Sequence, residues 1–168
     1  KLAEYFIGVD TSEGLIVGDL SSATVLNART FSVEAQYSGK IPPDRLAFHL
    51  KEWAEKYNNA KVVIESNNHG LVTINYLKEV YRNIYSRKIL DQLTNEWTEK
   101  IGFQTNVKTK NILIANLDRA LRSGLFIPSA KIIESLINYI VEEDGSTNAS
   151  EGKTDDEVIS TALAVQGY

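Results

Sequence analysis

The sequence predicts an α/β domain built on a mixed central sheet, with an antiparallel meander at its N-terminus and helices flanking the sheet on both faces. Three observations lead there. Short apolar runs crowd the first third of the chain, two of them end in a carboxylate (Asp10 and Glu65), and the later segments repeat their apolar residues at helical spacing.

The first run, Glu4-Tyr5-Phe6-Ile7-Gly8-Val9-Asp10, reads as a buried strand ending in an acid, and residues 15–19 and 24–33 read as two further strands completing the meander. Thr11 to Gly14 supplies the first turn. After Pro42-Pro43, Asp44 is the expected cap of a helix whose apolar stripe is Leu46, Leu50, Trp53, Ala54 and Tyr57. Residues 61–65 form the fourth strand, residues 66–70 a polar turn, and Leu71, Ile74, Leu77 and Tyr81 mark a second helix. Ile84-Tyr85 reads as a short strand, and 86–103 as a hairpin or flap, expected to be a regulatory element. Helices are expected over 108–123, with Leu113, Leu117, Ala120 and Leu121 inward, and over 131–139. Residues 143–153 read as a loop or weak strand, and a last helix runs over 155–165.

At 168 residues and 43% hydrophobic content, the chain suits one domain spanning residues 1–168. The apolar run 136–141 is far shorter than the roughly 20 residues of a membrane-spanning helix, so no membrane partner is expected. There is no cysteine, which excludes disulfides, thiolate zinc and a cysteine nucleophile and leaves oxygen or histidine as metal ligands. The chain opens directly in a strand-like segment, without a signal sequence or an initiating methionine, as expected of a piece of something longer. No Gly-x-x-x-x-Gly-Lys-Ser/Thr loop occurs, so this piece is not an ATP-driven motor.

The net charge of −4 hides an uneven distribution. Residues 1–77 carry 7 basic and 9 acidic groups, residues 78–131 carry 10 and 5, and residues 132–168 carry 1 and 8. A basic middle beside an acidic end suits a protein that holds phosphate in one place and divalent cations in another, although ordinary solvated charge would look the same.

Asp10, Glu65 and the pair Asp155-Asp156 stand at strand ends and at the start of the last helix, where side chains from an α/β sheet converge. Taken singly, Asp10 reads as a turn residue and the aspartate pair as helix caps. Glu65, directly after Val62-Val63-Ile64, is harder to explain structurally. Carboxylates so close repel one another unless cations neutralise them. Three or four of them suit a pair of divalent ions such as Mg²⁺ roughly 3.5–4 Å apart, the arrangement that stabilises both the attacking and the leaving oxygen in phosphodiester cleavage.

The segments Ile7-Gly8-Val9-Asp10-Thr11-Ser12-Glu13-Gly14, Val62-Val63-Ile64-Glu65-Ser66-Asn67-Asn68-His69-Gly70, Gly102-Phe103-Gln104-Thr105 with Lys108-Thr109-Lys110, and Gly152-Lys153-Thr154-Asp155-Asp156-Glu157-Val158 resemble phage terminase large-subunit nuclease domains, in order and over nearly the whole chain. The resemblance implies a ribonuclease-H-like fold and an endonuclease that cuts concatemeric viral double-stranded DNA during packaging. It carries over Asp10, Glu65, Asp155 and Asp156 as catalytic ligands of two Mg²⁺ or Mn²⁺ ions. Thr154 stands where many relatives have histidine, and the fourth-strand acid, Asp in some, is Glu65 here. The resemblance further implies an N-terminal ATPase domain in the same chain, a portal protein and a small terminase subunit as partners, and work in the host cytoplasm at the procapsid portal. Arg87, Lys88, Lys100, Lys108, Lys110, Arg119 and Arg122 are candidate phosphate contacts, with His69 as a secondary one. A resolvase or transposase core would use the same carboxylates, but the Gly-Phe-Gln-Thr and Lys-Thr-Lys segments favour terminase. A non-catalytic DNA- or partner-binding module is the remaining alternative. A sugar-kinase or actin-type half, which shares the first hairpin pattern, needs a matching second half that this length does not hold.

Overall fold

A computed structural model describes residues 2–12, 14, 20–90, 94–141, 147–149 and 154–168. Among the described residues its central sheet has four strands, β1 (Tyr5–Asp10), β2 (Ser21–Asn27), β3 (Ser32–Gly39) and β4 (Lys61–Ile64), in the order β3-β2-β1-β4. The first three form the antiparallel meander, and β4 joins β1 in parallel, as a crossover through a helix requires.

The meander is built from different segments than the apolar runs suggest. Residues 24–33 are not one strand, because a turn at Ala28–Phe31 divides them between β2 and β3. Asn27 drives the break: its Oδ1 accepts from the backbone N–H of Arg29 at 2.9 Å and of Thr30 at 3.3 Å, and Phe31 takes a positive φ of 52°. The strand expected over 15–19 lies outside the described residues.

Alternation along β1 sends Ile7 and Val9 to one face of the sheet and Phe6, Gly8 and Asp10 to the other. On the first face Ile7, Val9, Val62 and Ile64 pack against α1 (Pro43–Lys56) and α2 (Asn68–Val80) through Leu46, Leu50, Ile74 and Leu77. On the second, Phe6 and Val63 pack against α3 (Val107–Arg122), α4 (Ala130–Ile137) and α5 (Asp156–Gly167).

Several boundaries differ from the sequence reading. Pro42 is the N-cap of α1 with Pro43 in its first turn, so Asp44 is not the cap; proline presets the helical φ and lacks only an N–H that would go unpaired there. Residues 66–70 are not all turn, since α2 begins at Asn68 and takes in His69 and Gly70. On α2, Leu71 is exposed while Ile74 and Leu77 are buried, as is Tyr81 at its C-cap. Ile84 makes a single parallel bridge to Val62 rather than a strand. Helix α4 ends at Ile137, and Tyr139–Val141 forms β7, paired with β8 (Thr147–Ala149); the rest of 142–153 lies outside the described residues. The expected hairpin is present, with β5 (Ser86–Leu90) antiparallel to β6 (Trp97–Ile101). Helix α3 carries a reciprocal cap in which Asn106 Oδ1 accepts from Thr109 N and Thr109 Oγ1 accepts from Asn106 N. Among the described residues no helix is long and apolar enough to cross a membrane.

Candidate active site

The parallel ladder pairs Val9 with Ile64, so the next residues, Asp10 and Glu65, leave adjacent strands side by side. The register continues one step further, with the Glu65 N–H donating to the Val9 carbonyl at 3.2 Å. Both acids follow the parity of Phe6 and Val63 and therefore face α5.

Helix α5 can reach them because Gly8 lets it lie directly on β1. A Cβ at Gly8 would stand 2.0 Å from the Ser160 carbonyl oxygen and 2.2 Å from the Ala164 nitrogen. A buried hydroxyl cluster fixes the helix against β2: Ser160 Oγ lies 2.9 Å from Ser22 Oγ and 3.0 Å from Thr24 Oγ1, and Thr24 Oγ1 lies 3.2 Å from Thr161 Oγ1. The N-terminus of α5 thereby delivers Asp155 and Asp156 to the end of β1. A second close approach acts at Gly70, where a Cβ would stand 1.7 Å from the Glu65 carbonyl oxygen, so that α2 starts hard against the end of β4.

Electrostatics reports the convergence of the four acids. Burial, then the charges of Glu65 and Asp156, a hydrogen bond with Glu65 and the charge of Asp155 hold the Asp10 carboxyl well above its ordinary value. Asp156 is itself buried. Asp155 is the N-cap residue of α5, yet its side chain makes no capping hydrogen bond; its Oδ2 instead accepts from Lys110 Nζ at 3.0 Å. Burial would lower the Lys110 pKa, but the hydrogen bond and charge of Asp155, helped by Tyr139, raise it.

These groups fit divalent cations. Every donor is a carboxylate oxygen, and a cation would offset both the burial and the neighbouring negative charges that raise the Asp10 pKa. Among the described residues no three acidic or histidine side chains are gathered closely enough to hold one ion between them. Such a set suits Mg²⁺, which takes one or two carboxylates and completes its shell with water and substrate phosphate.

The basic candidates divide into groups. Arg87 turns inward, donating to Ser66 Oγ at 3.2 Å, to the Gly102 carbonyl and to Gln104 Oε1 at 2.9 Å. It thereby ties the base of the hairpin to the segment after Glu65, where Phe103 exchanges backbone hydrogen bonds with Ile64 and Ser66. Lys88 and Lys100 are exposed on the hairpin, and Lys108 is exposed in the first turn of α3. Lys110 touches the acidic cluster. Arg119 and Arg122 lie toward the other end of α3, with Arg119 donating to Asn116 and Arg122 paired with Asp118; the structure does not bring them to the carboxylates. Arg119 lines a cavity of about 530 Å³ with Tyr168, whose ring meets Phe6 at the start of β1. His69 sits in the first turn of α2.

Two participants had no sequence signal strong enough to single them out. Asn67 precedes α2, but its side-chain amide donates to Glu65 Oε1 at 2.8 Å instead of capping the helix. Glu157, almost fully buried, accepts from Ser38 at 2.6 Å, Lys131 at 2.8 Å and Ser135 at 3.1 Å, and so ties α5 to β3 and α4. Burial alone would raise its pKa, but the hydrogen bonds from Lys131 and Ser38 outweigh this and hold it below the ordinary value.

No protein-family model matches the sequence, and no curated protein matches it. Solved structures do. The large terminase nuclease from thermophilic phage G20c with bound magnesium superposes with a TM-score of 0.73 at 22% identity, over 98% of this chain and 81% of that one. The large terminase nuclease domain of Thermus phage P74-26 gives 0.68 at 23% identity, over 99% and 80%. The human cytomegalovirus terminase nuclease domain, manganese-soaked and inhibitor-bound, gives 0.58 at 9% identity, over 98% and 83%. The chain therefore has the ribonuclease-H-like fold of the large terminase nuclease domains, the α/β architecture its own sequence predicts.

Proposed function

We propose that this chain is a metal-dependent endodeoxyribonuclease that cuts concatemeric viral double-stranded DNA during genome packaging, using two Mg²⁺ or Mn²⁺ ions to hydrolyse phosphodiester bonds. The observation that carries the reading is the convergence of Asp10, Glu65, Asp155 and Asp156 at one end of the sheet, on a fold that solved terminase nucleases share.

Divalent ions held there would supply Lewis-acid polarisation of the phosphate and lower the pKa of a bound water. The chain does the rest. Asp10 and Glu65 offer oxygens from two adjacent strand ends and release the proton that burial and the neighbouring charges favour on Asp10. Asp155 and Asp156 close the other side from α5, while Asn67 orients Glu65. Lys88, Lys100 and Lys108 meet backbone phosphates, with His69 near the end of β4; such contacts orient a duplex without reading its sequence. In this reading an N-terminal ATPase domain of the same chain, a portal protein and a small terminase subunit bring the DNA, in the host cytoplasm at the procapsid portal.

The test is nicking and linearisation of supercoiled plasmid with Mg²⁺, Mn²⁺, Ca²⁺ or chelator, wild type beside Asp10→Ala and Glu65→Ala. Cutting with Mg²⁺ or Mn²⁺ that chelator and each substitution abolish supports the reading. Cutting that survives both substitutions means the site lies elsewhere, and DNA binding without any cutting favours a non-catalytic module. A preference for four-way junctions over linear duplex would favour a resolvase.

A further inference from the structure

Lys110 and Asp155 each give up their expected local role to meet. Asp155 occupies the N-cap position of α5 and leaves the cap unmade, while Lys110 stands near the N-terminus of α3, where the helix dipole disfavours a cation. Neither helix gains locally from this choice. What the pair does is bring one ammonium group, 3.0 Å from Asp155 Oδ2, into a cluster of four acids. Among the described residues it is the one basic side chain in ion-pair contact with any of the four. Both partners are accessible, at 24% and 30% exposure, so the contact can open without unpacking the core.

We propose that Lys110 is a tethered cation that occupies the metal-binding oxygen of Asp155 and yields it when a DNA phosphate draws the ammonium away. This rests on the nuclease reading and deepens it. A divalent ion that takes Asp155 Oδ2 has to displace Lys110 from it, whereas the Asp10–Glu65 side carries no such competitor among the described residues. A phosphate arriving beside α3 offers Lys110 a second anion. Full metal loading is then coupled to the presence of substrate, and the chain without DNA holds its second ion weakly. Lys110 acts here through Asp155, as a positioning residue.

The test is Mn²⁺ binding to the intact chain without DNA, read by calorimetry and by the paramagnetic resonance of free Mn²⁺, for wild type, Lys110→Gln and Lys110→Arg. Lys110→Gln is expected to tighten the weaker binding event roughly fivefold, the scale of a partly exposed ion pair. Lys110→Arg keeps the charge and the pair and should follow wild type. Adding a duplex with uncleavable phosphorothioate linkages should tighten the weaker event in wild type and change it little in Lys110→Gln. Mn²⁺ binding that Lys110→Gln leaves unchanged or weakens overturns this proposal alone. Failure of both wild type and Lys110→Gln to bind Mn²⁺ overturns the metal-site reading and this proposal with it.

Discussion

Asp10 and Glu65 stand one residue beyond the Val9–Ile64 pair of the parallel β1–β4 ladder, where burial and then the charge of Glu65 hold the Asp10 carboxyl well above its ordinary value. Two parallel strands ending in register convert a separation of 55 positions in sequence into adjacency at the sheet's end. Without a cation, burial and the neighbouring charges favour the protonated carboxyl of Asp10.

Asp10→Asn mimics that protonated state permanently. In the absence of metal it should stabilise the fold by about 1 kcal/mol, a rise in Tm of roughly 2–4 °C for a domain of this size. Cleavage should be lost at the same time. Thermal unfolding in chelator beside plasmid cleavage checks the opposed signs; a fall in Tm would mean that Asp10 is held by favourable contacts and not under repulsion.

Gly8→Ala tests the close approach of α5. The added methyl would collide with the backbone at Ser160 and Ala164, and backbone cannot swing aside as a side chain can. Overpacking of this kind costs about 1–3 kcal/mol. The shift would carry Asp155 and Asp156 away from Asp10, so cleavage by protein that remains folded should fall by more than about tenfold. Circular dichroism and activity at a temperature well below the variant's Tm separate the two effects; a folded variant with full activity would show that α5 need not touch β1 there.

The sequence made the strand-ending acids legible because each closes an apolar run, and periodicity alone marked α1, α3 and α5. It did not reveal how α5 reaches the acids. Gly8 in a strand looks like a weak strand residue, and Ser160, Thr161, Ser22 and Thr24 look like surface hydroxyls until packing buries them against one another. The missed turn at Ala28–Phe31 has a similar cause: Asn27 lies within an apolar-looking run, and its role depends on a side-chain bond to its own backbone that pattern does not register. Lys108 and Lys110 are two residues apart and look alike in sequence, yet only Lys110 meets an acid of the site, because two residues on a helix point about 200° apart.

Tyr81 offers a stability test remote from the acids. Its hydroxyl donates to the Ala60 carbonyl at 2.6 Å, and burial, with the charge of Glu55, pushes its pKa up to about 12 from 10.0. The folded state thus favours the protonated phenol. Its contribution is complete below pH 10 and is lost as pH rises through about 12. Tyr81→Phe should cost about 1 kcal/mol at neutral pH through the lost hydrogen bond. Its stability should also fall less than that of wild type between pH 10 and 12, which denaturant unfolding across that window would show.

The hairpin β5–β6 bears exposed Lys88, Lys100 and Trp97, and Arg87 fastens its base beside Glu65. Removing the strands beyond Arg87, with a short turn joining it to Ile101, should therefore alter how DNA enters while sparing the carboxylate oxygens proposed to hold metal. Lys88 and Lys100, if they neutralise phosphates, should each contribute about one to the slope of log affinity against log salt. Arg119 lies nine residues beyond Lys110 on α3, roughly 13 Å along the axis, so it would reach only a duplex extending well past the cut. Filter binding across salt concentrations, on short and long duplexes, should show the hairpin lysines in both slopes and Arg119 in the long one alone. Unchanged cleavage and salt slope after hairpin removal, with Mn²⁺ binding intact, would mean that DNA approaches from another side.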